Sequence, residues 1–352
     1  MISFNIQKPD IAIATALQDK IDNLTKPKGS LGTLEEIALQ IGLIQQTLSP
    51  ELHHPVNVIY ASDHGIADEG VSQSPKEVTR QVIHNFLNGG AGICFLSRQH
   101  GFEIKIVDGG VDFDFSAIPE LIDRKIRKGT RNFLHEAAMT QDEMELAIQY
   151  GADIVTDCHD NGCNVISFGE MGIGNTTTSS AVASVLLGDE PAEITGRGAG
   201  LTNEGLERKI HAIEKAIAVN RPKWDDPVDV LAKVGGFDLA GITGLYLGGA
   251  VYRIPIVVDG FISAVAALAA VRICEWVKDA MIVSHVSKEP GMQKILKELH
   301  MDAPLHADMC LGEGTGAVAY LPVLDLAAEV YGRMSTFSEN DIEDYKELGE
   351  KE

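Results

Sequence analysis

The sequence has few basic residues for its length. Its 352 residues include 29 Lys and Arg against 51 Asp and Glu, which gives a formal net charge of −22. No basic stripe interrupts this acidic excess, so the surface repels nucleic acid and anionic lipid, and we expect neither as a partner. A phosphate ligand would need a few local cations and backbone N–H groups to hold it against the unfavourable overall field.

Cysteine is also scarce, and its pattern argues against a disulfide framework. Five cysteines, an odd number, are scattered along the chain, which favours a reducing compartment. Cys158 and Cys163, with His159 between them, invite interpretation as metal ligands, but their spacing matches no structural zinc pattern. We therefore predict no metal. The cysteines are Cys94, Cys158, Cys163, Cys274 and Cys310.

Long apolar runs are missing as well. Residues 1–20 contain an early proline and interspersed charges in place of the apolar block of a signal peptide. The most apolar stretch, 256–273, is interrupted by Asp259 and Arg272 and falls short of a membrane span. We therefore expect a cytoplasmic protein without a membrane partner.

What the sequence does contain is an alternation of two patterns. Short β-rich apolar runs end in small or acidic residues, and longer stretches with helical periodicity lie between them. The predicted strands are 56–62, 103–108, 164–168, 254–258 and 280–284. The predicted helices include 141–150, 176–187, 204–219 and 261–276.

This alternation predicts an α/β fold whose mostly parallel sheet is covered by helices, of the Rossmann-like, doubly wound kind. Residues 1–52 are mostly helical in pattern, with a break at 26–32, and 323–352 begins helical and becomes strongly charged. We expect a large α/β domain over 53–322 and a small helical domain built from 1–52 and 323–352. Ligands should bind at the carboxyl ends of the strands.

Helix starts carry recognisable signals. Thr33 with Glu36 and Thr140 with Glu143 have the spacing of a capping box. The stretch 74–77 offers Ser74 as an N-cap, followed by a proline at the first helical position and a glutamate at the third.

The segment 168–180, FGEMGIGNTTTSS, combines a glycine loop with a helix start. Such a junction directs backbone N–H groups and a helix dipole at an anion, and its hydroxyls add hydrogen bonds to phosphate oxygens. A tight βα turn with hydroxyl caps is the alternative. The segment matches neither a Walker loop, since no lysine follows, nor a full dinucleotide fingerprint. Glu170 would repel a phosphate but suits a ribose hydroxyl or a cationic ring.

Two further segments carry chemistry. Lys209 follows the glycine loop of GRGAGLTNEGLERK (196–209) and could reach a phosphate, although a lysine on a helix is usually solvated. Glu313 stands between glycines in CLGEGTGA (310–317), where an apolar cleft would raise its pKa toward that of a general base. A helix-start carboxylate that balances the dipole is the alternative for Glu313.

The remaining polar signals are weaker. In 62–81, Asp63 and His64 follow a strand and suit acid–base work or a structural hydrogen-bonded pair. Ser74 and Gln81 offer polar contacts to a flat heterocycle, or cap and decorate a helix. Other residues at predicted strand ends or loops are 128–132, Asp238, Asp259–Gly260, Ser284–His285 and Glu289.

Taken together, these segments resemble the family of nicotinate-nucleotide–dimethylbenzimidazole phosphoribosyltransferases. The stretches that carry the resemblance run in order across nearly the whole chain. They are TKPKGSLG (25–32), SDHG with SPKEVTRQ (62–81), NFLNGGAGI (85–93), FGEMGIGNTT (168–177), the GRGAGL segment to Lys209, PIVVDGFIS (255–263) and LGEGTGA (311–317).

The resemblance implies a reaction. A ring nitrogen of a benzimidazole-type base attacks C1′ of nicotinate mononucleotide, nicotinate leaves, and the inverted product is α-ribazole phosphate for the lower ligand of cobalamin. The pyridinium ring is its own activated leaving group, so no metal or other cofactor is required. The sequence also lacks the paired-acid strand motif of pyrophosphate-using phosphoribosyltransferases. The family is homodimeric, with a large α/β and a small helical domain.

The resemblance also implies roles for individual residues. Glu313 stands at the position of the general base, and Glu170 meets the ribosyl end of the nucleotide. The phosphate is expected at Gly172, Gly174, Asn175, Thr176 and Lys209. The base is expected beside Gln81, Leu311 and Ser74, and its identity stays open because relatives accept adenine, substituted benzimidazoles or phenols.

Two other functions remain as alternatives. A dinucleotide-dependent oxidoreductase would need a strand–GxGxxG–helix unit with an acidic residue at the end of the next strand, and no segment meets all parts. A non-catalytic sensor of nicotinate nucleotides would bind its ligand without turnover and tolerate changes at Glu313.

Overall fold

A computed structural model describes residues 4–340 and 342–343 of the chain. The strands in these residues are β1 (Val56–Ser62), β2 (Glu103–Gly110), β3 (Leu121–Asp123), β4 (Ile166–Met171), β5 (Ile256–Val258) and β6 (Met281–Val283). They form one sheet in the order β3-β2-β1-β4-β5-β6, and every neighbouring pair is parallel. This is a doubly wound order, which reverses direction between β1 and β4.

Helices cover this sheet and connect its strands. They are α1 (Ala12–Asp22), α2 (Thr33–Gln45), α3 (Glu77–Leu87), α4 (Gly92–His100), α5 (Gln141–Asp160), α6 (Asn175–Leu187), α7 (Pro191–Ile194), α8 (Asn203–Asn220), α9 (Pro227–Val234), α10 (Phe237–Val251), α11 (Phe261–Ile273), α12 (Gly291–Leu299) and α13 (Thr315–Arg333). Two 3₁₀ helices span Gly65–Glu69 and Glu275–Ala280. Within the described chain, none of the helices is both long enough and apolar enough to cross a membrane.

Burial of the central strands shows why the sheet is sandwiched. Every residue of β1 is buried, although successive side chains of a strand point to opposite faces. Both faces must therefore be covered. Helix α10 packs on β1, β2 and β4, whereas α4 packs on β2 and α13 on β4. The predicted α/β fold with a helix-covered parallel sheet is confirmed.

The five predicted strands are all present; the bounds of 56–62 are confirmed, and the other four have shifted ends. The strand predicted at 164–168 runs instead from Ile166 to Met171, so Gly169 and Glu170 belong to the strand and not to the loop after it. Strand β3 was not predicted, because its three residues do not form an apolar run.

Of the three predicted helix starts, one is confirmed. Thr140 and Glu143 form a capping box at the start of α5. The prediction for Thr33 is wrong: Gly32 occupies the N-cap of α2, and no side chain caps it. The prediction for Ser74 is also wrong. Helix α3 begins at Glu77, without a side-chain cap.

The two ends of the described chain lie together. Helices α1 and α2 flank the predicted break, α13 packs on α2, and Leu24 pairs with Thr336 in an isolated antiparallel bridge. Helix α13 runs without interruption across the expected boundary at 322, so the division into 53–322 and 1–52 with 323–352 stays a prediction. The charged positions 344–352 lie outside the described residues.

Glycines bring α10 into close contact with α5. A Cβ added to Gly244 would lie 1.9 Å from the carbonyl oxygen of Ile148, and one added to Gly151 would lie 2.0 Å from that of Gly241. Backbone therefore meets backbone where these helices cross. Helix α10 is buried along nearly its whole length, and its first turn carries Asp238, so this contact sets the position of a buried carboxylate.

We expect Gly244→Ala to destabilise the fold by about 1–3 kcal/mol, because the added methyl group has no space and the helices must separate. The measurement is the midpoint of urea unfolding, with Gly332→Ala as the control. A Cβ at Gly332, near the end of α13, meets nothing within 4 Å. This control should stabilise by up to about 1 kcal/mol, as alanine favours helix. Equal effects of the two changes would contradict the close helix contact.

Candidate active site

A cleft of about 360 Å³ opens at the carboxyl edge of the sheet, where the strand order reverses between β1 and β4. This is the place where doubly wound folds bind ligands. The structure brings eight of the ten predicted site residues to its wall: Ser74, Glu170, Gly172, Gly174, Asn175, Thr176, Leu311 and Glu313. The other two, Lys209 and Gln81, do not line the cleft.

The floor of the cleft is the turn from β4 to α6. A Cβ at Gly172 would lie 2.1 Å from the carbonyl oxygen of Ser62, so this turn lies directly on the end of β1. Gly174 is the N-cap of α6 with φ of 101°, a backbone conformation that favours glycine. The start of α6, with Asn175 and Thr176, therefore brings the positive end of the helix dipole to the cleft, although the backbone N–H of Asn175 already donates to the carbonyl oxygen of Gly172 (3.0 Å).

A buried histidine–aspartate pair supports this turn from below. His64 Nε2 lies 3.2 Å from Asp238 Oδ2, and both side chains are fully buried. A Cβ at Gly172 would lie 2.9 Å from His64 Nε2, and one at Gly236 would lie 2.4 Å from Cε1. The imidazole thus occupies a slot between two glycines, in which a larger residue would collide with it.

Glu170 lies at the end of β4 under the opposite wall. Its carboxylate accepts a hydrogen bond from Asn175 Nδ2, and only 8% of its surface is exposed. Burial, together with the negative charges of Asp238, Asp259 and Glu313, raises its pKa to about 8. Glu170 is therefore largely protonated at neutral pH, which removes most of the repulsion that a phosphate would otherwise meet.

The loop that carries Glu313 lies against β4 by backbone contact. A Cβ at Gly169 would lie 2.2 Å from the carbonyl carbon of Glu313, and one at Gly314 would lie 2.2 Å from Asn57 Oδ1. Asn57 Nδ2 donates to the carbonyl oxygen of Glu313 (3.0 Å), and Ser167 Oγ donates to Asn57 Oδ1 (2.7 Å). This buried network fixes the backbone of Glu313, which has a left-handed φ of 62°.

The side chain of Glu313 is half-buried in the wall of the cleft. Its Oε2 atom has no hydrogen-bond partner among the described residues. Burial raises the pKa of this carboxyl above its usual value, the backbone N–H of Ile93 opposes the shift, and the charge of Asp259 adds to it. A carboxylate with one free oxygen and a raised pKa is suited to accept a proton.

Asp259, directly after β5, holds the helix that follows this loop. Its Oδ1 accepts the backbone N–H groups of Gly316 (2.8 Å) and Ala317 (3.0 Å) at the start of α13. One buried carboxylate thus satisfies two free donors of a helix N-terminus and places its negative charge near Glu313.

Lys209 provides a buried cation behind the wall of the cleft. Its Nζ donates to Thr176 Oγ1 (2.9 Å) and to the carbonyl oxygen of Gly196 (3.2 Å). Burial lowers the pKa of Lys209 to about 8, and the charge of Glu289 acts against this decrease. The expectation of a solvated lysine does not describe this residue, which is fully buried and reaches the cleft through Thr176.

The outer wall of the cleft is mostly apolar. Val78 and Val82 from α3 line it together with Ser74, which is half-buried, and Leu311, which is 60% exposed. A flat heterocycle fits between such surfaces. Gln81 lies on the same helix, but its side chain is exposed and outside the cleft.

Part of this site carries no clear signal in the sequence. Asn57 and Ser167 lie inside predicted strands, where a polar residue carries no signal of its own. Asp238, Asp259, His285 and Glu289 were noted only as polar residues at strand ends or loops, and the structure buries all but Glu289. Glu289, which is half-buried, lines the cleft with Asp259 and His285.

No group of three or more His, Cys, Asp or Glu side chains in the described part of the chain is arranged to hold a metal ion. The cysteines are unpaired, and Cys158 and Cys163 are buried. The turn after β1 has the sequence Asp63–His64–Gly65 and not the glycine fingerprint of a dinucleotide site. The cleft suits a displacement at a sugar phosphate, because the carboxylate of Glu313 can accept a proton and the turn after β4 can bind an anion.

Comparison with known proteins agrees with this chemistry. A family model described as phosphoribosyltransferase matches residues 6–342. The nicotinate-nucleotide–dimethylbenzimidazole phosphoribosyltransferase of Parabacteroides distasonis is 56% identical over 346 residues, which are 98% of this chain and 100% of the relative. The enzyme of the same name from Clostridium acetobutylicum is 48% identical over 339 residues, 96% of each chain.

A solved structure is similar over the same extent. The crystal structure of CobT from Thermus thermophilus superposes with a TM-score of 0.91 at 39% identity, and the match covers 95% of this chain and 100% of that one. The comparisons support neither an oxidoreductase nor a sensor. The chain belongs to the family of nicotinate-nucleotide–dimethylbenzimidazole phosphoribosyltransferases.

Proposed function

We propose that the chain transfers the phosphoribosyl group of nicotinate mononucleotide to 5,6-dimethylbenzimidazole or a related base, with Glu313 as the general base. The products are α-ribazole 5′-phosphate, which serves assembly of the nucleotide loop of cobalamin, and nicotinate. The observation that carries the proposal is the half-buried Glu313 carboxylate, whose Oε2 is unpartnered in the described chain and which shares one cleft with the glycine turn after β4.

The proposed reaction needs one proton acceptor and an activated leaving group. The unprotonated ring nitrogen of the base forms a bond to C1′, and the bond from C1′ to the pyridinium nitrogen breaks. Its electron pair returns to the pyridine ring, which therefore leaves without protonation. The second ring nitrogen of the base loses its proton to Glu313, and the new nucleoside becomes neutral at the base.

The phosphate is proposed to bind at the turn between β4 and α6, away from Glu313. Gly172 and Gly174 shape the turn, and Asn175 and Thr176 place the positive end of the α6 dipole there. Lys209 supplies the positive charge behind Thr176. A bound phosphate would also stabilise the charged form of this lysine, because an anion within a few ångströms raises the pKa that burial has lowered.

The acceptor base is proposed to lie along the apolar wall, beside Ser74 and Leu311. Gln81 remains a proposed contact, although its side chain is exposed in the described chain. A homodimer in the cytoplasm, with nicotinate mononucleotide and a benzimidazole-type base as its small-molecule partners, completes the proposal.

Glu313→Gln tests the general base. We expect turnover to fall by roughly 100-fold or more with little change in nucleotide binding, because the amide cannot accept the proton. Release of nicotinate in steady-state assays measures the first quantity, and calorimetric titration with nicotinate mononucleotide measures the second. Glu204→Gln, a change at an exposed helix-start carboxylate of α8, is the control. Wild-type turnover in Glu313→Gln would exclude this residue as the base.

Asp259→Asn tests the electrostatics of the base. Glu313 must be ionised to act, so kcat/KM should fall as the pH drops through its raised pKa. The asparagine oxygen still accepts from Gly316 and Ala317, but the negative charge that raises the pKa of Glu313 is gone. We therefore expect the acidic limb of the pH profile of kcat/KM to move to lower pH. An unmoved limb would show that a different group sets it.

Lys209→Met tests the phosphate site. The buried apolar side chain retains most of the volume but loses the charge, so we expect the KM for nicotinate mononucleotide to rise by about tenfold or more, as for loss of a charge-assisted hydrogen bond. The KM for the base should stay within about twofold of the wild-type value. Lys215→Met, an exposed change on the same helix, is the control. An unchanged nucleotide KM would exclude the phosphate role.

A further inference from the structure

One histidine in the wall of the cleft has no part in the reaction described so far. His285 follows β6, lines the cleft, and is only 3% exposed. Its ring is closely confined, because a Cβ at Gly316 would lie 2.1 Å from both its Cε1 and its Nδ1. Gly316 belongs to the first turn of α13, so the imidazole lies directly against the start of the helix that follows Glu313.

The hydrogen bonds of Ser284 determine which ring nitrogen carries the proton. Ser284 Oγ lies 2.6 Å from the carbonyl oxygen of Val258, which can only accept, so the single hydroxyl proton points there. Ser284 Oγ also lies 2.9 Å from His285 Nδ1 and has no second proton to donate. It must therefore accept from Nδ1–H. In the neutral ring, Nε2 then carries a lone pair.

This lone pair faces the ligand space. In the described part of the chain, no hydrogen bond to His285 Nε2 is present, and a Cβ at Gly260 would lie 3.6 Å from it. Gly260 is the N-cap of α11 and lines the cleft beside His285. The cleft therefore presents a fixed hydrogen-bond acceptor on this wall, and its partner must bring a proton.

The position of this acceptor along the cleft indicates the partner. The segment 285–289 forms one wall, and its first residue contacts Gly316, close to Glu313. Its last residue, Glu289, accepts from the backbone N–H of Gly198 (3.1 Å), and a Cβ on Gly198 would lie 3.0 Å from Thr176 Oγ1, which contacts Lys209. The wall thus runs from the proposed proton acceptor to the proposed phosphate site, and the sugar lies between the two.

We infer that His285 Nε2 accepts a hydrogen bond from a ribose hydroxyl of the nucleotide. The inference rests on the proposed function, because it takes nicotinate mononucleotide as the ligand. The ionised carboxylate and the phosphate of that molecule are acceptors at neutral pH, so the 2′- and 3′-hydroxyls are the donors that it offers. Such a bond strengthens as positive charge develops at C1′, since the hydroxyls then become more acidic. His285 would therefore act on turnover as well as on binding.

The test is a thermodynamic cycle that combines a substitution in the protein with the removal of a hydroxyl from the substrate. Wild type and His285→Phe are assayed with nicotinate mononucleotide and with its 2′-deoxy and 3′-deoxy analogues. With the natural nucleotide, we expect kcat/KM of the variant to fall about 10- to 100-fold, the loss of one buried hydrogen bond that strengthens in the transition state. Wild type should show a similar loss with one deoxy analogue, and the variant should show no further loss with that analogue.

Two more variants keep the test decisive. His285→Gln places an amide oxygen near the position of Nε2 and should retain part of the discrimination between ribose and deoxyribose. Ser284→Ala removes the hydroxyl that fixes the tautomer of His285, so this variant should discriminate less between ribose and deoxyribose. It tests the inference whether or not His285→Phe folds. His306→Phe, at an exposed histidine, is the control and should behave as wild type.

The outcomes are distinguishable. If His285→Phe, or Ser284→Ala where the former does not fold, discriminates against both deoxy analogues as strongly as wild type, the inference about His285 is overturned while the proposed function stands. If wild type releases no nicotinate from nicotinate mononucleotide with any base, the proposed function itself fails.

Discussion

The active site depends on the close approach of two backbones, that of the loop 312–314 and that of the last residues of β4. Gly169 lets the carbonyl of Glu313 approach so closely that a Cβ there would lie 2.2 Å from it. Asn57 and Asp259 then hold the two sides of this contact, one at the carbonyl of Glu313 and one at the start of α13. The glutamate is thereby kept half-buried in a left-handed conformation, which costs free energy that these contacts offset.

Local positive charge at the site offsets the repulsion between the acidic chain and a phosphate. A surface of net charge −22 repels phosphate, but the cleft has a helix N-terminus at its floor and one buried lysine behind its wall. The same burial that lowers the pKa of Lys209 raises those of Glu170 and Glu313. Glu170 loses most of its charge at neutral pH. Two carboxyls in one cleft can thus have different roles because their surroundings differ.

The sequence allowed the outline of this site to be predicted, but not its supports. Strand ends and glycine loops have local signatures, so Glu313 and the turn 172–176 were found from the sequence, and the structure places them in one cleft. The burial of Lys209 depends on α8 packing behind α6, a tertiary contact that no helical pattern encodes. The role of Asn57 could not be predicted for the same reason, since its hydrogen bond to the carbonyl of Glu313 is also a tertiary contact. The capping signal at Thr33 failed because the helix starts one residue earlier than this signal requires: Gly32 is the N-cap, and Thr33 is already the first helical residue.

The strand order also shows how one fold serves different chemistry. In dinucleotide-binding proteins of this order, phosphate binds at the glycine-rich turn after the first strand. Here that turn carries His64, whose ring lies beneath Gly172 and is paired with Asp238. The imidazole packs against the equivalent turn after β4, where a Cβ at Gly172 would lie 2.9 Å from its Nε2. The proposed anion site lies at this turn after β4, one strand along the sheet, on the side where the loop of Glu313 lies. In the proposed reaction, this arrangement brings the carboxylate of Glu313 and the sugar phosphate into one cleft, at the edge of the sheet where doubly wound folds bind their ligands.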